Sequence, residues 1–476
     1  MKHLPLIVAG LLGIVTSAAA EPVIELDGEF DDWPEGVWAV ADAEYLYIRV
    51  QTGEVTSLQN SRFTVNINID ADGDAETGLR LARYDPAVVW GADLSLSFST
   101  GVTARLLARD GPVTPIAHSA YGVLFAPSHA SDQFEIRLDR VPKGDLPQLG
   151  GNIVVAALAE DSRRLREVWN QGAVRLHPPE LAPAPERLDI EVPARPDDAV
   201  RVLSWNVLWG SPMGNPEPFD RVLHALKPDV VLVQEWDDRN RDAPPVTEDE
   251  LATWFNYSED TPVWTAIKGG ERGVAIISRH PMQRIETRTL RPDSAGDPKV
   301  DDSRGIRVAA ARISTPVGDL VATSLHLKCC GGYAGEEDSQ RLAEARAIRA
   351  ALLQAMRADA PDMVVIAGDF NLVGDPAPQA LLASGTDADG GDLVVADTPN
   401  LGQRVRVSWR EQGSRFAPGR LDYALVGDAG ARIANAFIFD ASVLSDATLE
   451  AIGVQRDDTA TSDHMPVVID ILPDAN

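Results

Sequence analysis

Cysteine is nearly missing from this chain of 476 residues: Cys329 and Cys330 are the only two, and they are adjacent. Their Cα atoms lie ~3.8 Å apart across a trans peptide, closer than an ordinary disulfide spans, so a bridge between them is strained and labile. The pair follows His326 closely and reads either as a redox or site-shaping element or as two local structural residues. Beyond the amino terminus, no stretch is long and apolar enough to cross a bilayer as a helix. Positive charge is scarce too, with 43 Lys and Arg against 72 Asp and Glu, a formal charge of −29. That balance argues against a general nucleic-acid-coating role but leaves room for a locally basic cleft. Solubility outside the cell accounts for it equally well. Internal repeats are absent, and so is low-complexity sequence beyond one Pro-rich stretch.

The order of segments is legible. Residues 1–20 carry a charged start (Lys2, His3), an apolar run from Leu4 to Val15 and the small residues Ala18, Ala19 and Ala20. This is the pattern of a signal peptide, so a periplasmic or extracellular location is expected. No cysteine follows it to carry a lipid anchor. A chain of this length points to two domains. Over 21–176, runs such as Tyr45 to Val50 and Phe63 to Ile69 alternate apolar and polar residues, which predicts an all-β sandwich. Residues 177–199 hold clustered prolines and read as a semi-rigid linker. Over 200–472, strand-like runs such as Val202 to Trp205, Val230 to Val233 and Met363 to Ala367 alternate with helical patterns. An α/β fold with a substantial sheet core is predicted there.

Several of these apolar runs stop at a polar residue: Trp205-Asn206, Gln234-Glu235, His326, Gly368-Asp369-Phe370-Asn371, Arg420-Leu421-Asp422-Tyr423 and Ser462-Asp463-His464. Ligands bind at strand ends in open α/β sheets, so these residues are candidates to converge. Oxygen donors with one or two imidazoles suit a hard divalent metal and a phosphate ester. Glu235 is a candidate Mg²⁺ or Mn²⁺ ligand or else a rim carboxylate. Asn206 fits a phosphate contact, a metal contact or a turn cap. Asp369 and Asn371 face one way on an extended segment, to orient water and steady a phosphate, or else form an Asx turn. His326 and His464 are the candidate site imidazoles, Asp422 a carboxylate that fixes an imidazole tautomer, and Asp463 a second metal-ligand candidate.

Taken together, these motifs resemble the endonuclease/exonuclease/phosphatase superfamily over about 198–472, in the same order. The resemblance implies a four-layer α/β sandwich, with two mixed sheets flanked by helices, and Mg²⁺-dependent hydrolysis of a phosphate ester by in-line attack of water. It further implies that Glu235 binds the metal with support from Asn206, that Asp369 orients the water, and that Asn371 contacts the phosphate. His464 then pairs with Asp422 and meets the phosphate, with His326 opposite, near the leaving group. Leu208 departs from the pattern where several members carry Asp, which counts against an abasic-site specialist. Phosphodiester hydrolysis by a nuclease is the first expectation. A phosphomonoesterase or a sphingomyelinase-like phospholipid diesterase is the second, and a non-catalytic surface or glycan-binding protein the third.

Two features bear on ligands. Arg404, Arg406, Trp409 and Arg410 form a basic-aromatic stretch that reads either as a phosphate- or base-binding track for DNA or RNA or as an ordinary Arg-rich loop. Arg304, Arg307 and Lys328 add positive charge near the cleft. In the amino-terminal region, Asp70, Asp72 and Asp74 read as Ca²⁺ ligands or as a polar hairpin turn. Together with Leu26-Asp27-Gly28 and Asp32-Trp33-Pro34, this segment resembles carbohydrate-binding-module-family-9-like sandwiches, which makes a glycan a candidate ligand.

Overall fold

A computed structural model describes residues 23–81, 90–161, 166–182, 187–240, 242–256 and 263–474. The expected signal peptide lies outside the described residues. Two six-stranded sheets form the carboxyl-terminal part. In the first, strands lie in the order Thr265–Lys268, Ala275–Ser278, Val230–Gln234, Val200–Asn206, Val467–Pro473 and Ala431–Ile438. In the second, the order is Met282–Ile285, Val308–Thr315, Gly318–His326, Met363–Asp369, Asp422–Val426 and Val394–Val395. Each sheet is mixed, with one parallel pair at its centre and antiparallel neighbours.

Side-chain alternation explains the layers. Val202, Val230, Leu232 and Ile276 of the first sheet meet Ala309, Ala311, Ala322 and Val365 of the second in one buried core. Their neighbours Leu203, Val231 and Val233 point the other way, onto the helices Pro216–Leu226 and Glu248–Phe255. Val308, Ala310, Val364 and Ile366 likewise meet Ile348 and Leu352 of the long helix Glu336–Ala358. Period-two strands buried on both faces give four layers, as expected from the sequence.

The amino-terminal region is a sandwich of a four-stranded and a five-stranded antiparallel sheet around a core that includes Ile48, Phe134, Ile67 and Leu96. It is not a detached bead. Leu26, Leu124 and Ala126 are buried in the core shared by the two carboxyl-terminal sheets, and Ala417 is buried in the sandwich core. The described residues of the Pro-rich stretch are pinned as well: the Leu188 amide donates to the Val443 carbonyl at 2.9 Å, and Ser445 donates back to Leu188 at 2.8 Å.

One backbone position sets the spacing between the two central strands of the second sheet. Gly368 has φ +148°, and a Cβ there would sit 2.0 Å from the Leu325 carbonyl oxygen. No side chain fits that approach. We expect Gly368→Ala to destabilise the protein by about 3 kcal/mol, read as a lowered midpoint in thermal or denaturant unfolding. A midpoint equal to that of the parent chain would contradict the packing described.

Candidate active site

Strand register builds the site. His326 lies opposite Asp369 in the parallel pair, and Asp369 lies opposite Asp422 in the antiparallel pair, so three neighbouring strands end in one row. On the facing sheet, Asn206 lies opposite Gln234, and Glu235 follows directly. The two rows meet at the seam: Asn206 Nδ2 donates to Asp369 Oδ2 at 3.2 Å. Gln234 ties the sheets together one step deeper, donating to the Ser324 hydroxyl at 3.0 Å. Two positive φ angles turn the chain at the rim, 59° at Glu235 and 51° at Asn371. Asn tolerates this region and Glu does so rarely, so the strain at Glu235 marks a position held by its surroundings. The Glu235 carbonyl accepts from the Gly210 amide at 2.9 Å.

Glu235, His326 and Asp369 of the two rows converge with His464. His326 Nε2 stands 3.8 Å from Glu235 Oε1 and 3.5 Å from Asp369 Oδ2. His464 Nε2 stands 3.8 Å from the same Asp369 oxygen, while its Nδ1 meets Asp422 Oδ2 at 2.7 Å. Asn371 donates its amide proton to Asp369 Oδ1 at 3.0 Å and its side-chain NH to the Leu327 carbonyl at 3.3 Å. Ser408 fixes the start of the Asp422 strand: its hydroxyl accepts from the amides of Leu421 and Asp422. The Trp205 indole donates to the His464 carbonyl at 2.9 Å.

Burial sets the charges. It pushes the Asp369 carboxyl up to about 7, against the pull of His464 and with the push of Asp422 and Glu235. Burial likewise lifts Glu235 to about 7, opposed by His464 and Arg307. His326 is held well below the usual imidazole range by burial first, then by the positive charges of Arg307 and His464, and is neutral. Burial works against charge on His464 too. There Asp422 and Asp369 outweigh it and raise the imidazolium to about 10. The two histidines therefore divide into a neutral one and a cationic one.

The remaining predicted residues fall in different places. Asp463 is half-buried beside the site, with Oδ2 accepting from the Trp409 indole at 3.0 Å and Oδ1 buried without a partner. Arg406 does not form a phosphate track. It is 8% exposed and bonded to Glu25 of the amino-terminal region and to Asp397 of its own loop. Arg410 pairs with Asp440 at 3.2 Å, and the Arg404 carbonyl accepts from Leu26. Arg406 thus serves as a docking contact between the two parts, while Arg404 and Arg410 remain exposed. Arg307 is the cation that faces the site. It lies across the ladder from His326, whose amide donates to the Arg307 carbonyl, and its guanidinium donates to the Leu327 carbonyl at 3.1 Å. In the amino-terminal region, Asp74 turns to its own loop and accepts from Glu76, while Asp93 from the next strand joins Asp70 and Asp72. Those three carboxylates each offer an oxygen within 4.8 Å of the others, a set able to hold a metal ion.

We expect Asp422→Asn to remove the charge that keeps His464 protonated. The imidazolium is present through neutral pH and is lost as pH rises through about 10, so the alkaline limb of the pH–rate profile should move to lower pH in the variant. An unmoved limb would contradict the pairing.

The model of the "Endonuclease/Exonuclease/phosphatase family" matches residues 203–464. No curated protein matches the chain. Among solved structures, the chain is similar to a humanized D. rerio TDP2, with 18% identity over 58% of this chain and 99% of that one, and a TM-score of 0.35. It is similar also to the human Nocturnin catalytic domain, at 14% identity over 59% and 97% with a TM-score of 0.36. Sphingomyelinase C from Streptomyces griseocarneus gives 20% identity over 57% and 99%, with a TM-score of 0.36. The family match covers more than half of the chain and takes in every residue of the site, so this chain belongs to the Endonuclease/Exonuclease/phosphatase family of metal-dependent phosphoester hydrolases.

Proposed function

We propose that the protein is an exported, divalent-metal-dependent hydrolase of phosphodiester bonds, its nearest biological role that of a nuclease. One observation carries the reading: the buried Asp369 carboxylate and the partly buried Glu235 meet a neutral imidazole at their seam with an imidazolium alongside. The charged start, apolar run and small residues of 1–20 support export.

The residues suit a hard cation. Glu235, Asn206 and Asp463 supply oxygen donors, and burial without a cation raises Glu235 to about 7, a cost that a bound cation relieves. The Asp463 Oδ1 is buried and unpartnered beside them. When bound there, Mg²⁺ or Mn²⁺ would supply charge stabilisation at a phosphoryl oxygen. The chain's own residues do the rest. Asp369 holds and deprotonates the attacking water. Asn371 and the His464 imidazolium hold the phosphate oxygens, and Arg307 adds charge as negative charge builds in the transition state. His326, neutral and 3.5 Å from Asp369, is placed to exchange a proton on the other side.

A second reading, a lipid or small soluble diester, is favoured by specific observations. Arg406, in the middle of the basic stretch, is buried on Glu25 and Asp397 and is not open to a long polyanion. The segment after Asn206 exposes Leu208 and Met213, beside a pocket of about 360 Å³ lined by Met213, Asp249, Glu250, Thr253 and Trp254.

Turnover of plasmid DNA, bis(p-nitrophenyl) phosphate and a choline phospholipid, each with Mg²⁺ or Mn²⁺, separates these readings. Chelation should abolish activity and either metal should restore it. His464→Ala should lower kcat by roughly 10²–10⁴-fold with the fold intact. Chelator-insensitive cleavage, or full activity in the variant, would contradict the assignment.

A further inference from the structure

The amino-terminal sandwich reaches the loops that leave the catalytic strands. Ser57 sits where two of them pass. Its hydroxyl donates to the Val373 carbonyl at 2.6 Å and accepts from the Tyr333 amide at 2.9 Å. Val373 lies four residues after Asp369, and Tyr333 lies seven after His326. Ser57 is 3% exposed, so water does not replace either bond easily. Neighbouring contacts follow the same loops. Asn60 Nδ2 donates to the Gly331 carbonyl at 2.8 Å, and the Ala130 amide donates to the Gly374 carbonyl at 2.8 Å. Further along, the Ser128 hydroxyl accepts from the Arg420 amide at 2.7 Å, two residues before Asp422.

A continuous chain of hydrogen bonds runs from this contact to the acid. Ser57 holds the Val373 carbonyl, and the Val373 amide donates to the Asn371 carbonyl at 2.8 Å. The Asn371 side chain donates to the Leu327 carbonyl, and the Leu327 amide donates to the Asp369 carbonyl at 2.9 Å. Within the catalytic part, Asp338 ties the same two loops from the other side, accepting from the Ala334 and Asp375 amides. Asn371 needs such support because it holds a positive φ while its side chain spans to the adjacent loop.

We propose that Ser57 is a positioning residue for the active site, and that the sandwich completes the catalytic unit by clamping the loops after His326 and Asn371. This rests on the reading of His326, Asp369 and Asn371 as catalytic. A loop freed by loss of the hydroxyl lets Asn371 and the strand ends drift, and drift at reacting groups is read in kcat rather than in KM.

The test uses the full chain carrying Ser57→Ala, Ser57→Thr, Asn60→Ala or Glu25→Gln. It reads metal-dependent kcat and KM and the amide hydrogen exchange of residues 327–335 and 371–375. Ser57→Ala should lower kcat by about tenfold with KM within about twofold, and should speed exchange in both loops. Ser57→Thr, which keeps the hydroxyl, should recover both. Asn60→Ala, at an exposed contact that does not threaten folding, should speed exchange in 327–335 alone. Glu25→Gln, which loosens the same interface at Arg406, should leave turnover and exchange unchanged. Parent-like kcat and exchange in Ser57→Ala would overturn the proposal. A parent chain without metal-dependent turnover would instead sink the functional reading, and loop exchange would still decide whether Ser57 holds the loops.

Discussion

The Glu235 and Asp369 carboxylates at the seam between the two sheets govern what surrounds them. Burial makes each costly to ionise, and both sit near 7 where an exposed carboxyl would sit far lower. The protein offsets that cost with fixed charge. His464 is lifted to about 10 by Asp422 and Asp369 and carries a positive charge into the site at neutral pH. Arg307 adds a second from across the ladder. His326, caught between two cations and without solvent, stays neutral. The division of labour among identical side-chain types follows from their surroundings, since sequence position alone does not separate His326 from His464.

The sheets make this arrangement rigid. His326, Asp369 and Asp422 stand at the termini of strands packed on both faces, so a buried β-ladder anchors these three, whereas Asn371 and His464 lie in the loops beside them. Register does the placing: a shift of one residue in the pair that joins His326 to Asp369 would turn one of them away from the seam. Gly368 is where that register is most exposed to insult, because the strand backbones approach there without room for a Cβ.

Much of this was legible in the sequence. Apolar runs ending at Asn206, Glu235, His326 and Asp369 announced the strands, because strand periodicity and polar termination are local properties; Asp422 instead opens its strand. What stayed hidden depended on partners far away in the chain. Arg406 looked like a phosphate ligand because Glu25, which neutralises it, lies 381 residues away. Asp93 was missed because it joins Asp70 and Asp72 only once the adjacent strand is paired. The resemblance already implied that His464 pairs with Asp422, but the opposite charge states of the two histidines depend on burial and on Arg307, which no local pattern reports. The sandwich read as a separate module because alternation reports an element's own core and is silent about docking, although Leu26 and Ala126 are buried in the core of the other part.

If two carboxylates near 7 are stabilised by a divalent cation, binding that cation must expel protons at neutral pH. Calorimetric titration of Mn²⁺ into the chain at pH 7, in two buffers of different ionisation enthalpy, measures this directly, with Glu235→Gln as the paired sample. The account predicts binding with net proton release in the parent chain, and loss of that released fraction in the variant. Binding without proton release, or release unchanged by Glu235→Gln, would contradict it.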